Sequence, residues 1–149
     1  MATERPNKNP YSAFNFIVEI DGAQIAAFQE VSGLDSENTP IEYREGADAL
    51  NSPRKLPGAE KYPNATFKRG ITGSTTLWDW RKEVRDGGTA FPPTRDVTIK
   101  LLDEKHATVY KWKLTHAWCC KLSGPSLNAK GNEIAIESME LAYDRIDIE

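Results

Sequence analysis

The chain has 149 residues, and its 19 Lys and Arg against 22 Asp and Glu give a formal net charge of −3. This length suits a single domain, and the slight negative charge argues against general attraction to nucleic acids or anionic membranes. With 39% hydrophobic residues the chain is too apolar for a disordered protein. We expect no membrane span and no secretory signal, because apolar runs are short and residues 1–10 lack an apolar core. We expect residues 1–10 to form a flexible N-terminal arm.

The first strand is predicted from alternating apolar and polar residues. It places four apolar side chains on one face: Phe14, Phe16, Val18 and Ile20. The dipeptide Asp21-Gly22 favours a tight hairpin turn, since both residues tolerate a positive φ. A second strand is therefore expected over residues 24–31.

The segment 32–63 contains four prolines, several glycines and charges of both signs, and only residues 41–46 resemble a strand. Thirty residues with little local order are unusual inside a compact domain. They indicate either a functional excursion or a disordered insert.

A helix is predicted in the sequence GSTTLWDWRKEVRDGG. Residues 74–76 offer hydroxyl caps for its start, and Gly87-Gly88 favour its end in a left-handed conformation. Its apolar stripe contains Leu77, Trp80, Arg81 and Val84, with the arginine contributing its aliphatic stem. Trp78 lies off this stripe and is a candidate for a protein contact.

Three later strands follow the helix. The first alternates Val97, Ile99 and Leu101, and a turn near His106 leads into the long second one. One face of this second strand is predicted to carry Tyr110, Trp112, Leu114, His116, Trp118 and Leu122, and the other Lys111, Lys113, Thr115 and Lys121. In the last strand, Ile134 and Ile136 are out of phase with Met139, Leu141 and Tyr143, which predicts a β-bulge near 137–138.

The pattern of six or seven strands and one helix predicts a mainly β fold. Two packed antiparallel sheets, as a sandwich or a partly open barrel with one flanking α-helix, fit it best. The exposed edges of such sheets need a partner, and assembly into a closed ring of sheets would supply one.

Catalytic and metal-binding patterns are not evident. Only His106 and His116 are available as bases, and neither has an assigned partner. The adjacent Cys119 and Cys120 are expected to be reduced structural thiols. The chain also lacks metal-ligand spacings and glycine-rich phosphate loops. We therefore predict a protein that is not an enzyme and binds no metal or cofactor.

A series of segments identifies a resemblance that covers nearly the whole chain. In order, they are NPYSAFNFIVEIDG, AAFQEVSGLDSE, IEYREG, LPG, TFKRGIT, LWDW and MELAYDRIDIE. Together they resemble the tail tube proteins of contractile injection systems. These are the inner-tube subunits of contractile phage tails and of phage-tail-like particles of the antifeeding-prophage and virulence-cassette type.

The resemblance implies a phage tail tube-like fold whose subunits form hexameric rings around a lumen. Rings would stack into a tube that sheath contraction drives through a target envelope. The implied partners are further copies of the chain, the sheath protein, baseplate or initiator and terminator proteins, and possible cargo in the lumen, without specific nucleic acid. The particle would be assembled in the bacterial cytoplasm and then released. Alternatives are a minor tube-initiator subunit at the baseplate, or a hexameric ring protein of type VI secretion.

The resemblance also gives the segment 32–63 a role, because it is long enough to reach a neighbouring subunit or ring. The candidate contact residues are Tyr43, Arg44, Glu45, Arg54, Lys55, Leu56, Pro57 and Trp78. Deletion of residues 47–60 is expected to abolish tube assembly and spare the monomer fold. The residues expected to face the lumen or solvent are Lys111, Lys113, Thr115 and Lys121.

Overall fold

The computed structural model describes residues 9–25, 28–87 and 93–149, with side chains for all of these except residues 24 and 25. The predicted arm at residues 1–10 lies almost wholly outside these ranges. The described residues form the following elements: β1 (Phe16–Ile20), β2 (Ala23–Ile25), β3 (Glu30–Ser32), β4 (Glu37–Tyr43), β5 (Arg54–Lys61), β6 (Ala65–Gly70), α1 (Thr76–Asp86), β7 (Arg95–Leu102), β8 (Thr108–Ser123), β9 (Ile136–Ala142) and β10 (Arg145–Ile148).

The strands form two antiparallel sheets that share the 16-residue strand β8. The first sheet has the order β2–β1–β7–β8–β10, and the second has the order β8–β9–β6–β3. β4 and β5 form a separate two-stranded hairpin. The predicted mainly β fold with two antiparallel sheets and one helix is confirmed, and the sheets do not close into a barrel. The described strands outnumber the predicted six or seven because β5 and β6 were not predicted and because the last predicted strand is divided into β9 and β10.

Two of the three register irregularities along β8 overturn its predicted single apolar face. Two residues of β8, Thr115 and His116, oppose the single residue Asp96 of β7, and the register shifts again between Cys119 and Lys121. Each bulge moves the following side chains to the other face. Consequently the buried row after Leu114 continues through Ala117 and Cys119, whereas His116 is exposed.

The first bulge places His116 at a φ of 54°, where the backbone N–H donates to Asp96 Oδ1 over 3.3 Å. Because left-handed backbone is most costly for β-branched residues, we expect His116→Val to lower the free energy of unfolding by about 1–2 kcal/mol. His116→Gly should cost less, since glycine adopts this conformation freely. Urea denaturation of both variants measures the difference, and equal losses would contradict a strained bulge.

The core is a single cluster between the two sheets and the helix. Helix α1 buries Leu77 and Trp80 as predicted, and it ends at Gly87, whose φ is 64°. Trp80 donates from its indole nitrogen to the carbonyl of Pro93 over 3.0 Å, and Arg95 lies over its ring. The largest fully buried side chains are Trp80, Phe67, Leu77, Leu114, Met139, Leu141, Val97 and Cys119.

The ends of two predicted strands differ from the structure. Phe14 and Ile134 are exposed and lie outside β1 and β9. The bulge predicted near residues 137–138 is also wrong, because β9 pairs with β6 in unbroken register from Ile136 to Leu141. No bulge is needed because Glu137, although charged, shares the core face with Met139 and pairs there with Arg69.

Candidate interaction surfaces

The hairpin of β4 and β5 projects from the domain. Its two strands pair only with each other among the described strands, and all their residues except Gly58 are exposed. A Cβ at Gly58 would overlap the carbonyl oxygen of Thr39, so this close approach of the strands requires glycine. The hairpin therefore holds its shape through its own pairing and not through the core.

One face of the hairpin is apolar. Ile41 lies opposite Leu56, and Tyr43 lies opposite Arg54. The side chains of Ile41, Tyr43 and Leu56, hereafter the hairpin apolar face, are 53%, 47% and 47% exposed. The opposite face carries the pair Glu42 and Lys55. Clustered exposed apolar residues of this kind typically mark a contact with another protein.

Polar contacts order the loop at the hairpin tip. Arg44 donates from Nε to the carbonyl of Leu50 over 3.1 Å, and Arg54 lies 3.2 Å from Asp48 Oδ1. The hydroxyl of Tyr43 donates to Glu45 over 2.9 Å. Because these pairs are exposed, each adds little stability by itself.

The predicted contact residues fall into two places. Seven of the eight lie on the hairpin or at its tip, namely Tyr43, Arg44, Glu45, Arg54, Lys55, Leu56 and Pro57. Trp78 lies instead on α1, where its ring is half exposed and the Arg85 guanidinium lies 5.8 Å from the ring centroid. The seven residues are thus grouped at the hairpin, with Lys55 and Pro57 on the face opposite Leu56, and Trp78 belongs to another surface.

The predicted lysine residues are also divided between the two sheets. On the outer face of the first sheet, Lys111 lies opposite Lys100, and Lys113 lies opposite Thr98. We call this surface, with Thr115, the lysine face. Lys121 lies beyond both bulges, on the second sheet opposite Glu140. Two register shifts lie between Lys113 and Lys121, so the row expected from alternation is divided between the two sheets.

Acidic side chains partly neutralise the positive charge of the lysine face. Lys100 lies 2.8 Å from Glu19, and Asp147 of β10 is paired in register with Lys113. Lys111 and Lys100 oppose each other directly, an arrangement that like charges tolerate only where water screens them. The lysine face is therefore suited to contact with water.

The surroundings of Cys119 and Cys120 do not favour the thiolate form that a nucleophile requires. Burial raises the pKa of Cys119 from about 9 to about 11, and it also raises the pKa of the partly buried Cys120. His116 contacts Asp144 at 3.1 Å on the exposed surface. Among the described residues, no cluster of His, Cys, Asp and Glu is placed to hold a metal ion.

We expect native Cys119 to resist a thiol reagent at pH 8, because its thiol stays protonated. Unfolding in urea should expose both cysteines to complete labelling. Because the pKa is raised on folding, the stability that the protonated thiol contributes is complete below about pH 9 and is lost towards pH 11. Mass spectrometry of the labelled protein checks this expectation, and rapid labelling of native Cys119 would contradict it.

The buried ion pair of Arg69 and Glu137 was not predicted from the sequence. Arg69 is only 3% exposed, and its Nε lies 2.6 Å from Glu137 Oε1. Its second amino group donates to the carbonyl of Ser74 over 3.0 Å, which joins β6 to the start of α1. Alternation in the sequence could have indicated this pair, since Arg69 follows Ala65 and Phe67 in phase, and Glu137 precedes Met139 and Leu141.

Helix α1 has 11 residues, and the described part of the chain contains no helix that could span a membrane.

Comparison with known proteins identifies the family. Residues 12–147 match the family described as T4-like virus tail tube protein gp19. The chain is 30% identical to a protein in the PVC sheath-tube complex of an extracellular contractile injection system, in its extended state. That match has a TM-score of 0.83 and covers 94% of this chain and 91% of the other. The chain is also 30% identical to a protein in the structure of the anti-feeding prophage tube terminating cap, with a TM-score of 0.84, covering 95% of this chain and 91% of the other.

A more distant match is Hcp1 from Flavobacterium johnsoniae, at 17% identity and a TM-score of 0.61, covering 89% of this chain and 93% of that one. This likeness concerns the fold alone. Comparison with curated protein sequences finds no significant match. The prediction of a structural protein agrees with the family, whose members are tube proteins and not enzymes. The chain belongs to the T4-like tail tube protein family, and it is a structural tube protein of the contractile injection type.

Proposed function

We propose that copies of this chain form six-membered rings that stack into the inner tube of a phage-tail-like particle. The tail tube family match over residues 12–147 carries this proposal. The exposed hairpin supports it, because a β-hairpin with an uncovered apolar face gains stability only from a partner. A sheath around the tube and a terminator at its end are the proposed partners, since the similar proteins come from a sheath-tube complex and a tube cap.

Electron microscopy of the purified protein tests this function. Hollow rings with sixfold symmetry, alone or stacked into tubes, are the expected result. A protein that stays monomeric at all concentrations, and does not enter tubes when produced with its sheath protein, would overturn the proposal. Assembly in the bacterial cytoplasm predicts that complete particles are found inside producing cells before lysis.

The hairpin is the proposed contact between subunits, with Tyr43, Arg44, Glu45, Arg54, Lys55, Leu56 and Pro57 as its contact residues. Its length and exposure support this role. Trp78 on α1 is proposed to contact another partner or subunit separately, since it lies on a different surface. Trp78→Ala should therefore weaken assembly without unfolding the subunit, as ring formation measured by light scattering would reveal.

The lysine face is proposed to line the lumen, and its support is the like-charge pairing of Lys100 and Lys111, which suits a water-filled channel. Lys113→Cys should react with a small maleimide in intact tubes but not with a maleimide attached to a polymer too large to enter. Disassembled subunits should react with both reagents. Equal labelling of intact tubes by both reagents would place this face outside the lumen.

A minor ring at one end of the tube is the second candidate. The chain is as similar to a protein in the anti-feeding prophage tube cap structure as it is to the one in the sheath-tube complex, at 30% identity in each case. Copy number per particle separates the two roles. A major subunit is present in many rings, whereas a terminal subunit is present in one.

A further inference from the structure

A groove of about 320 Å³ opens at one end of the sandwich, between the first sheet and β3. Phe16, Leu101 and Trp112 line it from the first sheet, and Val31 and Leu34 line it from the opposite side. Several of these side chains pack against the core and are only partly buried. The groove thus extends the core outward to an apolar surface that the described residues leave uncovered.

Covering such a surface is favourable, because it removes apolar area from water. The groove offers few polar groups that would orient a small molecule, and its volume is near the lower end of the roughly 300–1,000 Å³ found for ligand pockets. An apolar protein segment therefore fits the groove better than a polar ligand does.

The hairpin apolar face has the matching chemistry. Ile41, Tyr43 and Leu56 are aligned on one side of a rigid two-stranded ribbon and are uncovered in the monomer. Arg54 lies on the same side, with its side chain 56% exposed. Glu30 lines the groove, with its carboxylate side chain 55% exposed and 3.6 Å from Lys68. The hairpin face and the groove therefore carry one exposed group each of opposite charge, and Arg54 also pairs with Asp48 at the hairpin tip.

We propose that the hairpin apolar face of one copy docks in the groove of a second copy. This inference rests on the proposed tube function and names the receiving surface. Each chain carries both the hairpin and the groove on different surfaces, so the contact joins unlike patches. Contacts of this kind repeat from copy to copy and generate either closed rings or open stacks. One chain type therefore suffices to extend the assembly.

A mixing experiment tests the docking. One protein carries Leu56→Cys on the hairpin apolar face, and the other carries Val31→Cys in the groove. The two are co-assembled and treated with a short bifunctional maleimide. We expect a cross-linked dimer on denaturing gels from the mixture and at most a trace from either variant alone. Because each copy carries one new cysteine, the cross-link reports contact between copies and not within one.

Lys55→Cys provides the matched control, because Lys55 neighbours Leu56 in sequence but points to the opposite face of the hairpin. Mixed with the Val31→Cys protein, it should give at least fivefold less dimer. Equal cross-linking from both hairpin positions, or none from Leu56→Cys, would overturn the docking. So would native mass spectrometry that finds a small molecule bound to the groove in every subunit.

The result is separable from the proposed function. Tubes in electron micrographs without the Leu56–Val31 cross-link would refute the docking and leave the tube function standing. Cross-linked dimers without rings or tubes would uphold the docking and refute the tube function.

Discussion

Replacing residues 38–60 with an Asn-Gly turn is expected to abolish rings and tubes while leaving the subunit folded. Glu37 and Lys61 are direct partners in the hairpin, so a two-residue turn can connect them without distorting the rest of the chain. The removed residues are exposed, apart from Asp48 and Gly58, and none belongs to the core cluster. We therefore expect Tm to change by less than about 3 °C, which corresponds to roughly 1 kcal/mol in a domain of this size.

Electron microscopy and thermal unfolding followed by circular dichroism measure the two halves of this prediction. A matched control is Glu42→Ala, which alters the opposite face of the hairpin and should retain tubes. Normal tubes from the shortened chain would show that the hairpin is dispensable. A large fall in Tm would show instead that the hairpin supports the fold of the subunit.

Glu137→Ala is expected to lower the free energy of unfolding by about 3–5 kcal/mol, the usual cost of leaving a buried charge without its partner. Arg69 would keep only the Ser74 carbonyl as its partner among the described contacts. Its remaining amino nitrogen, Nη1, is already buried without a hydrogen-bond partner in the described structure. Since domains are typically stable by about 5–15 kcal/mol, this loss threatens folding itself.

The double variant Arg69→Met with Glu137→Leu separates the effect of charge from the effect of packing. Replacing a buried ion pair with apolar side chains is often neutral, so the double variant should be more stable than Glu137→Ala. Glu140→Ala, on the outer face of the same strand, should change stability by less than about 0.5 kcal/mol. Urea denaturation of the subunit provides all three values. A double variant as unstable as Glu137→Ala would mean that packing, and not charge, dominates at this position.

Sequence patterns were most informative where one side of an element is buried. Val97 and Ile99 of β7, the buried residues of α1 and the glycine that ends the helix were predicted, whereas the buried Leu102 was not. The family resemblance rested on segments spread along the chain and is confirmed by the match over residues 12–147. β4 and β5 were harder to predict, because strands exposed on both faces need no alternation of apolar and polar residues.

The mainly β class, the position of the helix and the tail tube family could be predicted from the amino-acid sequence alone, because burial periodicity and ordered motifs are local properties of the chain. The bulge at His116, the pairing of Arg69 with Glu137 and the isolation of the hairpin became evident only in the folded structure. These features depend on which strands become neighbours and in what register. A one-residue change of register reverses every side chain that follows, and no local pattern records it.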